Sequence, residues 1–205
     1  MAAGKPIKLY DFQSSPNCQR VKVVLGEKKL PFETIPIDLR KGEQKKADFL
    51  KLNPYGKVPV VIDGETVLYE SCIINEYLEE KYPNPPLMPK DQAKKARIRI
   101  LIDYGLNHLD PPYQKIRMEL MKEEKERNQE AIENSKRELN NLLQRLEREM
   151  GNQPYLAGDF SLLDAAVIPR FLRMEGFRVL PDPSLPNLGK WLQRMKDRPS
   201  VKAIM

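Results

Sequence analysis

Apolar and polar positions alternate in short runs over roughly the first 80 residues and then recur at helical spacing over the rest of the chain. Ile7, Leu9 and Tyr10 predict a strand. Ser15-Pro16 opens a helical pattern in which Val21, Val24 and Leu25 share one face while Lys22, Glu27 and Lys28 take the other, and Pro31 closes it. A second strand is expected over Phe32–Ile37, completing a βαβ unit with parallel strands and a right-handed crossover. The charged stretch from Lys41 to Leu52 predicts a short helical connection. Val58–Ile62 and Thr66–Tyr69 flank Asp63-Gly64, a hairpin signal, and a helix beginning near Ser71 turns Ile73, Ile74, Tyr77 and Leu78 inward. The element order βαβ, α, ββα is that of a thioredoxin-like sheet.

Prolines at 83, 85, 86 and 89 preclude a regular element and predict a stiff linker over residues 82–90. Everything beyond reads helical: Asp91 to about Met121, kinked or interrupted at Pro111-Pro112, then Glu123–Met150 with Leu139, Leu142, Leu143 and Leu146 on its buried side. Ser161 with Asp164 predicts a capping box, and a last helix around Leu188–Met195 buries Trp191. The fold class is therefore α/β followed by all-α, with expected domains 1–81 and 91–205.

Composition narrows the function. The net charge is +6, but lysine and arginine interleave with aspartate and glutamate as on solvated helix faces, which argues against nucleic acid. The sequence has no apolar run long enough to span a bilayer and no apolar N-terminal segment of the export type, so a cytoplasmic protein without membrane attachment is expected. Cys18 and Cys72 are too few for a disulfide framework, and with His108 the only histidine no Cys/His metal cluster is expected.

Four features carry candidate chemistry. Ser15 before Pro16 is a natural helix cap, and a hydroxyl at a helix start is also placed to donate to an anion held by the free N–H groups there. Val58-Pro59 opens a strand. Only about one X–Pro bond in twenty is cis, so the bare sequence favours trans; a cis bond would free the backbone of Val58 to pair with an extended peptide. Glu70-Ser71 reads either as a cap or as a site for an amino acid, Glu70 taking the ammonium and Ser71 the carboxylate. Gln44, Lys45 and Lys57 add amide and basic groups near the same end of the sheet, or are simply solvated.

Ser15-Pro16-Asn17-Cys18-Gln19-Arg20-Val21, Asn53-Pro54-Tyr55-Gly56-Lys57-Val58-Pro59 and Leu68-Tyr69-Glu70-Ser71-Cys72-Ile73-Ile74-Asn75-Glu76-Tyr77-Leu78, in that order, resemble the glutathione transferases, and the resemblance covers nearly the whole chain. Ser15 stands where serine-type members of the tau, phi and zeta kinds carry the active hydroxyl. The resemblance implies that Ser15 is the donor to the glutathione thiolate, that Val58 pairs with the cysteinyl part beside a cis Pro59, that Glu70 and Ser71 hold the γ-glutamyl part, and that Gln44, Lys45 and Lys57 take the glycine end. It further implies glutathione as co-substrate, no metal, conjugation to a hydrophobic electrophile or reduction of a peroxide, and a homodimer. Arg97, Arg99 and Asp103 offer charges to pair across its axis. Phe12, Asn107, Tyr113 and Phe171 are expected around an apolar electrophile pocket between the domains.

Two alternatives stand beside this. Cys18, on the first turn of the same helix as Ser15, is a candidate for mixed-disulfide exchange, although cysteine-type relatives carry their cysteine at the Ser15 position. The stretch Leu68–Pro89 is similar to stringent starvation protein A, a glutathione-transferase-like regulator that binds RNA polymerase; there a histidine is expected at Asn84 and no serine at Ser15.

Overall fold

The structure is a computed structural model and describes residues 6–180 and 182–205. These form two compact units, one of residues up to Leu87 together with Pro199–Met205, the other Met88–Arg198. In the first unit β1 (Ile7–Asp11), α1 (Pro16–Glu27) and β2 (Phe32–Pro36) make the expected βαβ unit. A 3₁₀ turn over Glu43–Lys45 and α2 (Ala47–Leu52) lead to the hairpin of β3 (Val60–Asp63) and β4 (Thr66–Tyr69), and α3 (Ser71–Lys81) follows. The sheet order is β2-β1-β3-β4, with β1 parallel to β2 and the other pairs antiparallel. The hairpin turns on Gly64 at φ +64, the left-handed region that favours glycine.

The helix after β1 ends at Lys28 and Lys29, before Pro31, with Lys29 at φ +52. Two expectations about helix faces are corrected here. Lys28 belongs inside: its side chain is wholly buried, its ammonium pairs with Glu79 at 2.7 Å and donates to the carbonyls of Tyr82 at 2.7 Å and Pro85 at 3.0 Å. The linker thus supplies the oxygens that make a buried lysine tolerable. Ile73, expected inward, is 59% exposed, while Ile74 and Leu78 carry the buried face of α3. The C-terminal α9 (Pro199–Lys202) packs on α1, where Gly26 leaves 3.1 Å between a hypothetical Cβ and the Ser200 side chain.

The second unit is helical: α4 (Gln92–Asn107), α5 (Asp110–Leu120), α6 (Gln129–Met150), α7 (Leu162–Gly176) and α8 (Pro186–Asp197). The helical stretch from Asp91 is interrupted at His108-Leu109, as one of the two expectations had it, and Pro111 and Pro112 lie in the first turn of α5, where the missing N–H would have no partner in any case. Asn128 caps α6, so that helix starts after a 3₁₀ turn at Glu124–Glu126 and later than the charge pattern suggested. Ser161 and Asp164 form the expected capping box, and the buried Asp164 also accepts from the indole of Trp191 at 2.8 Å. Arg97 pairs with Glu149 and Asp103 accepts from Asn107 at 2.6 Å, so both find partners inside the unit. No helix among the described residues is long and apolar enough to cross a membrane.

Candidate functional site

Ser15 sits between β1 and α1 in extended backbone, φ −80 and ψ 120, as a residue before proline must. Its oxygen accepts the Cys18 N–H at 3.4 Å, a long cap bond. A hydroxyl both accepts and donates, so capping leaves the Ser15 proton for a further partner. The first turn of α1 carries no acidic side chain, and the positive end of the helix is therefore uncompensated by any carboxylate of its own.

The Val58–Pro59 bond is cis, as the family resemblance implied and the bare sequence did not. Val58 lies ahead of the β3 ladder, which begins at Val60, and packs with Cys18, Phe49 and Val60 in a buried cluster that Phe12 and Tyr69 border. Around it the loop from Asn53 is drawn tight: the Asn53 amide donates to the Lys57 carbonyl at 2.7 Å, and its side-chain oxygen accepts the Tyr55 N–H at 3.0 Å. Gly56, at φ +58, has no room for a Cβ, which would stand 2.8 Å from the Gln44 carbonyl oxygen and 2.9 Å from the Lys45 ammonium. Gln44 and Lys45 are in this way brought against the 55–57 segment, and Lys45 reaches the Tyr55 carbonyl at 3.5 Å. The Gln44 side-chain oxygen is buried without a partner.

Glu70 adopts φ +68 and ψ 106 immediately before α3, a conformation that costs a non-glycine residue about 1–3 kcal/mol. Its side chain makes no cap bond. Ser71 is buried at the first position of α3, and its hydroxyl accepts from the Arg20 guanidinium at 3.3 Å; the same nitrogen lies 3.5 Å from the Cys72 sulfur. Arg20 is 4% exposed, its Nε has no partner, and among the described residues no carboxylate pairs with it. The first turn of α3 carries no acidic side chain of its own, and the carboxylate next to this corner is that of Glu70, the residue before the helix. Arg20 stands in the sequence motif, but on a helix face an arginine reads as solvated. The signal that finds it is its register: it follows Val24 and Leu25 by one turn toward the N-terminus, on the buried face.

Cys18 is fully buried, and burial pushes its thiol up to about 12, the backbone at Phe12 and the Ser15 hydroxyl opposing this and the Asp11 carboxylate adding to it. The structure places Cys18 in the core of the first unit, and a buried protonated thiol is a poor nucleophile, which counts against the candidate redox role.

Of the residues expected around the electrophile, Phe12 lines an open groove of about 690 Å³ in the first unit, with Gln13, Ser14, Pro36, Ile37 and Met205. Tyr113 and Phe171 are buried in the helical unit. Tyr113 packs edge-on against Phe177, and Phe171 packs edge-on against Trp191, because the apolar faces of their helices turn toward neighbouring helices. Asn107 is exposed at the end of α4.

The first unit matches the glutathione S-transferase N-terminal domain over residues 9–86, and residues 109–199 match the glutathione S-transferase C-terminal domain. The chain belongs to the glutathione S-transferase family. Glutathione S-transferase 3 of Zea mays is 33% identical over 205 residues, covering 96% of this chain and 92% of that protein. Among solved structures, a glutathione S-transferase from the Antarctic clam Laternula elliptica superposes with a TM-score of 0.86 at 29% identity, covering 98% of this chain and 92% of its own. The glutathione transferase URE2P6 from Phanerochaete chrysosporium, solved in complex with oxidized glutathione, gives 0.84 at 26% identity, covering 100% and 96%.

Proposed function

We propose that this glutathione S-transferase family member binds glutathione along its first unit and activates the thiol for attack on an electrophilic carbon or on the O–O bond of a peroxide. Val58 presents its backbone to the cysteinyl part, Glu70 takes the γ-glutamyl ammonium, and Ser71 with the start of α3 takes the carboxylate. Gln44, Lys45 and Lys57 face the glycine end. Ser15 donates to the sulfur, which the positive end of α1 also favours as an anion. A free thiol titrates at about 8.5, and lowering that by ~2 units requires roughly 2.7 kcal/mol, within reach of one hydrogen bond to the charged sulfur plus a helix terminus. The electrophile approaches from the groove beside Phe12.

The observation that carries this reading is Ser15 at the acid-free N-terminus of α1, with its hydroxyl proton uncommitted by the cap. The test is Ser15→Ala. Retention on immobilised glutathione should persist while turnover of a chlorinated nitroaromatic drops by roughly ten- to a thousandfold, the loss of one oxyanion-type donor. A fully active Ser15→Ala protein would end the proposal. Failure of the unmutated chain to bind glutathione, together with capture of RNA polymerase, would transfer the assignment to the regulator.

A further inference from the structure

The corner around Arg20 holds a sulfur as well as a hydroxyl. Ser71 and Cys72 are the first two residues of α3, and one nitrogen of the Arg20 guanidinium reaches both, the Ser71 oxygen at 3.3 Å and the Cys72 sulfur at 3.5 Å. Cys72 is partly exposed, whereas Arg20 is 4% exposed and its Nε has no hydrogen-bond partner. A thiol open to solvent is thus backed by a buried cation with donor capacity to spare. The other cysteine, Cys18, lies in the core of the first unit, out of reach of a reagent of peptide size.

Disulfides are opened by thiolates, which are anions. At the position of Cys72 such an anion meets the free N–H groups of a helix start, whose first turn carries no acidic side chain, and a guanidinium within hydrogen-bond reach. The carboxylate next to it in sequence, that of Glu70, is exposed and makes no cap bond to the helix. A disulfide that carries carboxylates of its own gains further, because the same guanidinium and the same N–H groups attract them.

We infer that Cys72 is a site of reversible modification by glutathione disulfide, and that the attached glutathionyl group closes the glutathione site. The Cys72 thiol gives its proton to water, its sulfur attacks one sulfur of the disulfide, the S–S bond breaks, and one glutathione leaves as a thiolate that takes up a proton. Cys72 is oxidised to the mixed disulfide and the departing half is reduced to glutathione; an excess of reduced glutathione runs the step backward. The closure rests on the reading above, in which Ser71 and the start of α3 take the γ-glutamyl carboxylate. A tripeptide tethered one residue away stands in that place. Thiol activation at Ser15 then follows the ratio of reduced to oxidised glutathione with no change at Ser15 itself.

The experiment treats the full chain with glutathione disulfide, removes the excess, and reads the product by intact mass and peptide mapping. A single glutathionyl group should be found, on Cys72. Calorimetry should then show glutathione affinity lowered by at least about tenfold and restored by dithiothreitol. Bis(2-hydroxyethyl) disulfide, which has no carboxylate, is the control: with each rate divided by that of the same disulfide with 2-mercaptoethanol, glutathione disulfide should modify Cys72 roughly tenfold faster. Cys72→Ser should bind glutathione as the unmutated protein does and ignore the treatment. Absence of a mixed disulfide at Cys72, or equal normalised rates for the two disulfides, overturns the site. A protein modified at Cys72 that binds glutathione with unchanged affinity overturns the closure. An untreated chain that does not bind glutathione overturns the reading on which the closure rests, while the mass at Cys72 still decides the exchange, so the two failures are told apart.

Discussion

Replacing Arg20 with methionine separates a binding role from a structural one, because the two predict opposite signs. In the unliganded protein the guanidinium is 4% exposed, donates to Ser71 and approaches the Cys72 sulfur, has a stranded Nε and meets no carboxylate among the described residues. Removing an uncompensated buried charge relieves a desolvation cost of several kcal/mol, against about 1 kcal/mol for the donor that Ser71 loses. The melting temperature of Arg20→Met should therefore stay level or rise; each kcal/mol corresponds to about 2–4 °C in a chain of this size. With glutathione the balance reverses. If the γ-glutamyl carboxylate sits at Ser71, Arg20 supplies it a charge-assisted interaction of about 1.5–3 kcal/mol, and the variant should bind glutathione roughly ten- to 150-fold more weakly. Titration calorimetry gives the affinity and thermal melts with and without glutathione give the stability. In the unmutated protein a ligand at about a hundred times its Kd adds ~2.7 kcal/mol, and the variant should show much less of that shift. A variant that melts several degrees lower yet binds glutathione normally would make Arg20 a strut between α1 and α3 and refute the reasoning.

Cys18→Ala should leave turnover within about twofold, and in the native protein a thiol reagent should modify Cys72 while sparing Cys18, as expected of a thiol pushed to about 12; rapid labelling of Cys18 counts against its burial. Gly56→Ala should cost more than about 1 kcal/mol in denaturant unfolding, since it combines φ +58 with a Cβ 2.8 Å from the Gln44 carbonyl oxygen, and glutathione affinity should fall with it; a neutral substitution would mean that the loop relaxes freely. Asp63 is partly desolvated, which alone would raise its pKa, but hydrogen bonds from Lys81, Tyr82 and Tyr77 outweigh this and hold the carboxyl below 3.8. A depressed folded value stabilises above the unfolded one, so Asp63→Asn should destabilise at pH 7 and the gap should close as pH falls below about 3.8; a gap independent of pH would show that shape, not charge, matters.

Most of the fold is legible in local pattern because its signals are local. The Asp63-Gly64 turn, the Ser161–Asp164 box and the strand runs each depend on a few adjacent residues. The misreadings come from tertiary partners that periodicity does not contain. Lys28 reads as a polar-face residue because nothing in its own helix announces the carbonyls of residues 82 and 85, and Ile73 reads as core because an apolar side chain beside Ile74 carries no label for which face finds a neighbour. The candidate site follows the same division. Ser15, Val58 and Glu70-Ser71 stand out because each lies at or just before the start of an element, where backbone groups are unpaired. Arg20 does not, since its significance lies in a missing partner, a property of packing and not of sequence.

The enclosed ammonium of Lys28 also decides where the first unit can be cut. A fragment ending at Lys81 would keep Glu79 but strip away the Tyr82 and Pro85 carbonyls, leaving a cation half-solvated inside a protein core. The proline-rich segment therefore has a share in the fold it leaves: its first residues are ligands for a lysine of α1, and a minimal piece must run at least through Leu87, whose N–H returns to Glu79 at 3.1 Å. In the intact chain the same enclosure keeps Lys28 from proteases and acylating reagents that attack surface lysines, so that its appearance among cleaved or modified sites would report the linker coming away from the first unit.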